Sequence, residues 1–94
     1  MIGLSIGKEF LVFNDKLYDK ILNDIFFETG FNELTEENKS KFIDYFRDNY
    51  MNCLEDIFES NDLSVEEDDI DNNELNIIFN EFENYINYIL KNKL

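Results

Sequence analysis

The stretch of sequence that decides the fold is TEENKSKFIDYFRDNYMNCLEDIFES, residues 35–60. Its apolar side chains recur every three or four positions, which places them on one face of a helix. They are Phe42, Ile43, Phe46, Tyr50, Cys53, Leu54 and Ile57. Thr35 precedes Glu36 and Glu37, the pattern of an N-cap followed by acids that suit the helix dipole. The sequence therefore predicts one continuous amphipathic helix from just after Thr35 to about Ser60.

Two further helices are predicted, one on each side of this stretch. The earlier helix spans about residues 15–28 and is followed by Gly30, a natural left-handed C-terminal cap. The last helix begins at Asp71, which has a spacing to Glu74 related to that of a capping box, and runs to about Lys91. Its apolar stripe comprises Leu75, Ile78, Phe79, Phe82, Ile86 and Ile89. The chain has no Pro and only three Gly, so it lacks the turn residues of a many-stranded protein.

The segment before the first helix, residues 6–14, can be read in two ways. Phe10, Phe13 and Leu17 keep the helical spacing, so the first helix can begin as early as Ile6. The run from Phe10 to Phe13 can equally form a short strand. We expect the helix, and hence an all-α fold: a small bundle of three to four helices with an acidic loop before the last one.

The negative charge of the chain is concentrated in one block. Residues 48–90 contain thirteen Asp and Glu and no Lys, Arg or His, while the net charge of the whole chain is −14. A small domain needs a net charge of only roughly 2–8 for solubility. Because concentrated like charge destabilises a compact state, its advantage lies in steering a partner. The sign disfavours nucleic acid and anionic membranes as ligands and favours a basic protein.

The composition also bounds the class of protein. Hydrophobic residues make up 44% of the chain, enough for one core, so residues 1–94 are expected to form a single domain. A lone cysteine excludes an intramolecular disulfide and fits a reducing compartment. We find neither a signal-peptide pattern nor an apolar run of roughly 18 residues. We therefore expect a cytosolic protein.

Catalysis and metal binding have little support in the sequence. Without any His, a Ser or Cys nucleophile lacks its usual base. Cys53 lies on the apolar stripe, where we expect a buried small hydrophobe rather than a reactive thiol. The segment 69–74 faintly resembles the start of a calcium loop but has Glu74 where that loop needs Gly, and Asn80 where it needs Glu. We expect no enzymatic activity, no cofactor and no dedicated metal site.

The candidate partner-binding residues are carboxylates of the acidic block and two aromatic residues among them. On a continuous helix, five acids between Asp44 and Asp62 would share one face, within roughly 60° of each other. The acidic connection, residues 61–72, adds further acids, and a helical turn is expected where Ser64 and Glu67 have capping-box spacing. The aromatic residues would serve as anchors, since interface hot spots are commonly aromatic. The full set is Asp44, Asp48, Glu55, Glu59, Asp62, Glu66, Glu67, Asp68, Asp69, Asp71, Glu74, Phe58 and Tyr88.

Some residues of the last helix fall away from its core stripe. Ile77 and Tyr88 do so, with Glu81 and Asn84 between them on the same side. They can form part of an interface, or they can be covered by a further helical segment or by a second copy of the chain.

One part of the chain resembles a known family. The stretch from Cys53 to Asp62, the acidic loop that follows and the segment 73–82 combine an aromatic-acidic helix end, an acidic loop and an amphipathic helix. This arrangement resembles the small colicin-type immunity proteins, above all the inhibitors of tRNA-cleaving bacteriocin and contact-dependent toxins. The resemblance covers about a third of the chain. It implies that acids occupy the basic substrate cleft of a toxin and mimic nucleic acid. It would assign that role to Glu55, Glu59, Asp62, Glu66, Glu67, Asp68, Asp69 and Asp71.

Three functions are compatible with these features. The first is an immunity protein or antitoxin that neutralises a basic nuclease toxin by acidic mimicry, and it is the one we favour. The second is a phage-encoded nucleic-acid mimic that inhibits a host defence complex, such as a CRISPR effector or a restriction enzyme. The third is a structural or adaptor domain whose acids are merely solvated. The first two share the same physics and differ in gene neighbourhood. The third predicts that reversing several loop acids leaves all binding unchanged.

Overall fold

A computed structural model of the chain describes residues 2–92. It contains a two-stranded antiparallel sheet, four α-helices and one short 3₁₀ turn. The elements are β1 (Ile2–Ile6), β2 (Glu9–Phe13), α1 (Asp15–Thr29), α2 (Lys39–Asp48), α3 (Tyr50–Ser60), the 3₁₀ turn (Glu67–Asp69) and α4 (Asn72–Asn92). The prediction of an all-α fold is therefore wrong, because the chain begins with a β-hairpin and the fold is mixed.

The hairpin occupies the segment that we expected to extend the first helix. A two-residue turn joins Ile6 to Glu9, and Gly7 opens it with a φ of 59°, as the first central residue of a type II′ turn requires. Phe10 and Phe13, which helical spacing would place together, lie on opposite faces: Phe10 is exposed and Phe13 is buried. The face of the hairpin that packs on the core comprises Leu4, Ile6, Leu11 and Phe13. This alternation is the period of a strand.

The strand β1 has contacts along both of its edges. β2 pairs with one edge. At the other edge, Ile6 forms a β-bridge with Ile70. There Ser5 also donates from its backbone N and its Oγ to the two carboxylate oxygens of Glu74, each at 3.1 Å. These hydrogen bonds join residues 69 positions apart and hold the start of α4 against the hairpin.

The predicted first helix is confirmed as α1, together with its C-terminal cap. The side-chain oxygen of Asn14 accepts a hydrogen bond from the backbone N of Leu17 at 3.0 Å, so Asn14 is the N-cap. At the other end, Gly30 adopts a left-handed φ of 75° and donates its N–H to the carbonyl of Phe26. Glycine adopts this conformation without the steric cost that a Cβ would bring.

The predicted second helix is interrupted. It breaks at Asn49, between α2 and α3, where a φ of −131° and a ψ of 29° depart from helical values. The Asn49 side-chain amide donates to the carbonyl of Tyr45 at 3.2 Å, beside the backbone N–H of Asn49, which bonds the same carbonyl at 2.9 Å. The predicted cap is present: Thr35 Oγ1 accepts from the backbone N of Asn38, and Asn38 Oδ1 accepts from the backbone N of Thr35. The α-helix itself starts only at Lys39, after this turn.

The last predicted helix is confirmed as α4. Asp71 Oδ1 accepts from the backbone N of Asn73 at 2.8 Å and of Glu74 at 3.2 Å, which is the expected capping role. Its predicted stripe is buried except at the C-terminal end, where Leu90 is buried and Ile89 only half-buried.

The hairpin and the four helices share one apolar core. Phe46 lies near its centre and makes edge-on contacts with Phe79 and Phe82, at centroid distances of 5.2 and 4.8 Å. Cys53 is buried, as predicted. Among residues 2–92 no charged side chain is buried. The acids therefore lie at the surface, as the cost of burying unpaired charge requires.

Candidate functional site

The exposed side of α3 presents a ridge of polar side chains. Asn52, Glu55, Asp56 and Glu59 follow the i, i+3, i+4, i+7 spacing of one helix face, and all four are exposed. We call these four residues the α3 ridge. The opposite face of the helix carries Cys53, Leu54 and Ile57 into the core. The apolar stripe of α3 thus fixes the orientation of the ridge.

A cleft of about 500 Å³ lies on one side of the ridge, between α3 and the chain that follows it. We call it the loop cleft. It is lined by Met51, Asn52, Glu55, Phe58, Glu59, Leu63, Ser64 and Val65. Met51, Leu63 and Val65 are half-buried, so part of their apolar surface is accessible beside the carboxylates of Glu55 and Glu59. The cleft can therefore hold an apolar or long-stemmed side chain whose charged end meets acids.

The end of α3 shapes the loop cleft. Asp62 has a left-handed φ of 57°, its N–H bonds the carbonyl of Glu59, and the N–H of Leu63 bonds the carbonyl of Phe58 at 2.8 Å. This is the Schellman arrangement, which brings Leu63 back over the end of the helix. Phe58, which we predicted as an anchor for a partner, is only 4% exposed and lines the cleft from within the fold. Phe58 therefore does not project from the surface, and its prediction as an anchor is wrong.

A second, smaller cleft of about 140 Å³ lies on the other side of the ridge, between α1 and α3. Here Asp24 and Glu28 of α1 meet Asp56, and the ring of Phe27 stands 86% exposed beside them. Burial is the main cause of a raised pKa at Asp24, the Asp56 carboxylate raises it further, Lys20 opposes the shift and Glu28 adds to it. Acids of two helices are thus close enough to repel each other.

The α1 side of the ridge was not predicted from the sequence. Asp24, Phe27 and Glu28 lie on the polar face of α1 at i, i+3 and i+4, a signal that could have identified them. They lie outside the acidic block of residues 48–90, on which the prediction depended. Asp56 belongs to that block but falls beside the acidic face expected of a continuous helix.

The Cys53 thiol lies next to this cleft and is held in its protonated form. Burial, followed by the charges of Asp24 and Glu28, raises its pKa to about 12. A thiol with a raised pKa is a poor nucleophile because the thiolate is the reactive species. The prediction of an inert, buried cysteine agrees with this environment.

The acidic connection is ordered by its own carboxylates. Glu66 and Asp69 cap the 3₁₀ turn reciprocally, with Asp69 Oδ2 accepting from the Glu66 backbone N at 2.9 Å. The predicted turn is therefore present, but its N-cap is Glu66 rather than Ser64. Tyr50 Oη donates to Glu67 Oε1 at 3.1 Å. Burial, then this hydrogen bond, raises the pKa of Tyr50.

The predicted partner-binding residues do not form a single face. The break at Asn49 separates Asp44 and Asp48 from the acids of α3, so the expected stripe from Asp44 to Asp62 is wrong. Asp48 lines a cleft of about 200 Å³ with Glu67, next to the loop cleft, whereas Asp44 lines none of the clefts described here. The acids that remain exposed are Asp44, Asp48, Glu55, Glu59, Asp62, Glu66, Glu67, Asp68, Asp69 and Asp71.

Two further predicted residues lie elsewhere. Glu74 is half-buried, and its carboxylate accepts both hydrogen bonds from Ser5. Its prediction as a partner-binding residue is therefore corrected to a structural role. Tyr88 is 62% exposed on α4, in a separate cleft against α1.

The ridge has no basic counterpart within the part of the chain described. The one ion pair there joins Lys39 to Glu36, at 2.9 Å, three residues apart on the approach to α2. None of the ridge carboxylates is within ion-pair distance of a Lys or Arg of residues 2–92. Their charge is therefore available to a basic group from outside.

Other kinds of site were sought in the same residues. No group of three or more His, Cys, Asp or Glu in residues 2–92 is arranged to hold a metal ion. No helix of that range combines the length and the apolar character needed to cross a bilayer. Comparison with protein-family models, with curated proteins and with solved structures finds no match to this chain.

Proposed function

We propose that the protein is an immunity protein or antitoxin that binds a basic nuclease toxin in the cytosol and blocks its substrate cleft. The observation that carries the proposal is the α3 ridge: three exposed carboxylates, without basic partners in the described chain, flanked on both sides by clefts with accessible apolar surface. The protein acts by binding, and no bond is made or broken.

The charge of the ridge explains how such a partner would be selected. Lys and Arg side chains that line a nucleic-acid cleft are arranged to contact phosphates. Carboxylates on one helix face can occupy the positions of those phosphates. Complementary charge accelerates association by about 10- to 1,000-fold and rejects acidic proteins. We therefore expect fast binding that slows steeply as salt is added.

The apolar surface explains how the complex would persist. Buried aromatic and aliphatic contacts at the centre of an interface contribute most of the affinity, while surrounding charges mainly set rate and specificity. Phe27 on one side of the ridge, and Met51 and Leu63 on the other, supply accessible apolar atoms next to carboxylates. This pairing supports an interface rather than a face that is merely solvated.

The test begins with capture of proteins from the native host lysate on the immobilised chain at low salt. The bound proteins are eluted with a salt gradient and identified by mass. We expect one basic protein that co-elutes stoichiometrically and cleaves RNA or DNA, and equimolar addition of the chain should abolish the cleavage. A partner that belongs to a host defence complex would assign the inhibitor to a different target and contradict the toxin proposal.

Two charge-matched variants make this test specific to the ridge. Glu55→Gln/Glu59→Gln removes two charges from the ridge, and Glu33→Gln/Glu37→Gln removes two from the exposed segment before α2. The first pair should lose the partner and the inhibition, and the second should keep both. Equal retention by the two variants, or a smear of basic proteins lost at modest salt, would mean a nonspecific polyanion and would refute the proposal.

A further inference from the structure

Tyr18 of α1 carries a polar group that the fold leaves without a partner. The side chain is only 4% exposed, and its hydroxyl is shielded from solvent without a hydrogen bond to any described residue. Most buried polar groups in folded proteins are paired, because an unpaired one is destabilising. Such an exception needs an explanation, and a water molecule, an ion or a ligand at the site is one.

The ring of Tyr18 lines a cleft between α1 and α4, which we call the tyrosine cleft. Its volume is about 200 Å³. It is lined by Asp15, Tyr18, Glu81, Asn84, Tyr85 and Tyr88. One water molecule takes up about 30 Å³, so the cleft has room for a group of several heavy atoms.

Three aromatic rings line this cleft. The centroids of Tyr18 and Tyr85 are 6.0 Å apart, with their planes tilted by 32°. Tyr85 Oη donates to Asp19 Oδ1 at 3.2 Å, which holds the ring in place. Burial, followed by the charge of Asp19 and this hydrogen bond, raises the pKa of Tyr85 to about 12, so it stays protonated at neutral pH. The faces of such rings attract cations.

Two carboxylates from different helices reach the same cleft. Asp15 comes from the first turn of α1 and Glu81 from the middle of α4. Burial is the largest cause of the raised pKa of Tyr18, and the charges of Glu81 and then Asp15 add to it, so both carboxylates lie near its hydroxyl. Among residues 2–92, no Lys or Arg lines this cleft, and Lys16 and Lys20 of α1 line a different one.

We propose that the tyrosine cleft binds a guanidinium group. This cation is planar, stacks on aromatic faces and carries five N–H donors that pair with carboxylates in a fork. Asp15 and Glu81 supply the first acceptors, and the three rings supply flat apolar faces. The hydroxyl oxygen of Tyr18 is enclosed in the unbound chain, so it becomes a further acceptor once the bound group displaces the atoms that cover it. An ammonium group has only three donors and no flat face to stack. The group can belong to an arginine side chain or to a small guanidino compound.

This site is separate from the α3 ridge. At 100° per residue, Asp15 and Tyr18 point to the side of α1 roughly opposite to Asp24 and Phe27. The two surfaces share no lining residue. The inference therefore stands whether or not the ridge binds a toxin.

The test is a titration of the full chain with N-butylguanidine, whose only charged group is a guanidinium, followed through the tyrosine ring signals in NMR spectra. N-butylurea is the matched ligand without charge, and a capped peptide with one arginine tests for a protein source. Glu81→Gln removes a charge from the cleft, whereas Glu83→Gln removes the same charge two residues further along α4, outside it. Tyr18→Phe removes only the hydroxyl.

We expect N-butylguanidine to shift the ring signals of Tyr18, Tyr85 and Tyr88 to saturation, and N-butylurea to leave them unchanged. Glu81→Gln should weaken binding about tenfold, because it replaces a charge-assisted hydrogen bond by a neutral one. Tyr18→Phe should weaken it several-fold, while Glu83→Gln stays within about twofold of the original chain, as a charge outside the cleft contributes little. Peptide binding as tight as that of N-butylguanidine would identify an arginine side chain as the ligand.

Two results would overturn the inference. Shifts that do not saturate, or that Glu81→Gln and Glu83→Gln reduce equally, would show general attraction to an acidic chain. Unchanged ring signals over the whole titration would mean that water alone fills the cleft and satisfies Tyr18.

Discussion

The α3 ridge and the acidic connection belong to one acidic block, but their carboxylates have different roles. In the connection and at the start of α4, Asp69, Asp71 and Glu74 accept hydrogen bonds from backbone N–H groups of the chain. On the ridge, no carboxylate accepts a hydrogen bond or pairs with a cation within residues 2–92. An acidic run is therefore not one site. Acids that cap the backbone stabilise the fold, and acids without an internal partner are free for another molecule.

The largest effect should come from reversing the charge of the ridge. In Glu55→Lys/Asp56→Lys/Glu59→Lys, we expect the affinity for the basic partner to fall by about 100-fold or more, since like charges would then face each other. The fold should persist and gain stability, because the variant relieves repulsion within the acidic block. Affinity by calorimetry and unfolding by circular dichroism measure the two quantities. Undiminished affinity would move the binding site away from α3.

Removal of the Glu74 carboxylate should act on stability rather than on binding. Glu74→Ala leaves the backbone N and Oγ of Ser5 without their acceptor, and we expect a loss of about 1.5–3 kcal/mol in the free energy of unfolding. Glu74→Gln keeps one acceptor oxygen and should lose less. Urea denaturation measures both variants, and partner affinity serves as the control. A variant that unfolds like the original chain would show that the hairpin does not depend on this contact.

The helices were predictable because their signals are local. The caps at Gly30 and Asp71, and the apolar stripes between them, depend on neighbours three or four residues away, and the structure confirms them. The strand was only the alternative interpretation, because Phe10, Phe13 and Leu17 fit a helical period and the apolar run from Phe10 to Phe13 is too short to decide between helix and strand. What resolves the ambiguity is a turn at Gly7 and a contact with Glu74, 69 positions from its partner Ser5. Such a contact leaves no local pattern.

The candidate site was predictable in charge but not in shape. The acidic block led to Glu55 and Glu59, which do lie on the ridge. The break at Asn49 divides the predicted helix, and Asp44 lines neither of the clefts beside the ridge. The apolar spacing continues across residue 49 and gives no warning of this break. The α1 half of the site, which centres on Asp24, was not predicted because it depends on how α1 packs beside α3.

A smaller loss of stability is expected at the start of α4. Asp71→Ala removes the acceptor for two backbone N–H groups and should cost about 1 kcal/mol, the usual value of an N-cap. Asp71→Ser removes the same charge but can still cap, so it should stay close to the original chain. Thermal unfolding distinguishes the two. If both substitutions were equally harmful, the charge of Asp71 rather than its capping role would be responsible.

The smallest effect tests whether repulsion among the acids beside the ridge lowers the free energy of unfolding. Burial and the Asp56 carboxylate raise the pKa of Asp24 above its ordinary value of 3.8. The folded chain therefore binds this proton more tightly than the unfolded chain. The contribution of Asp24 to stability accordingly rises as the pH falls through the raised pKa, and it is unfavourable at neutral pH.

Replacing Asp24 by Asn should remove that cost. Asp24→Asn is expected to be slightly more stable than the original chain at neutral pH, and the difference should vanish towards pH 3.8, where Asp24 itself becomes protonated. Asp44→Asn, which removes an exposed charge outside the clefts, controls for the general loss of repulsion. Urea denaturation at the two pH values gives the comparison. A gain that persisted at low pH would come from the amide and not from the charge, and the ridge would then carry no electrostatic cost at Asp24.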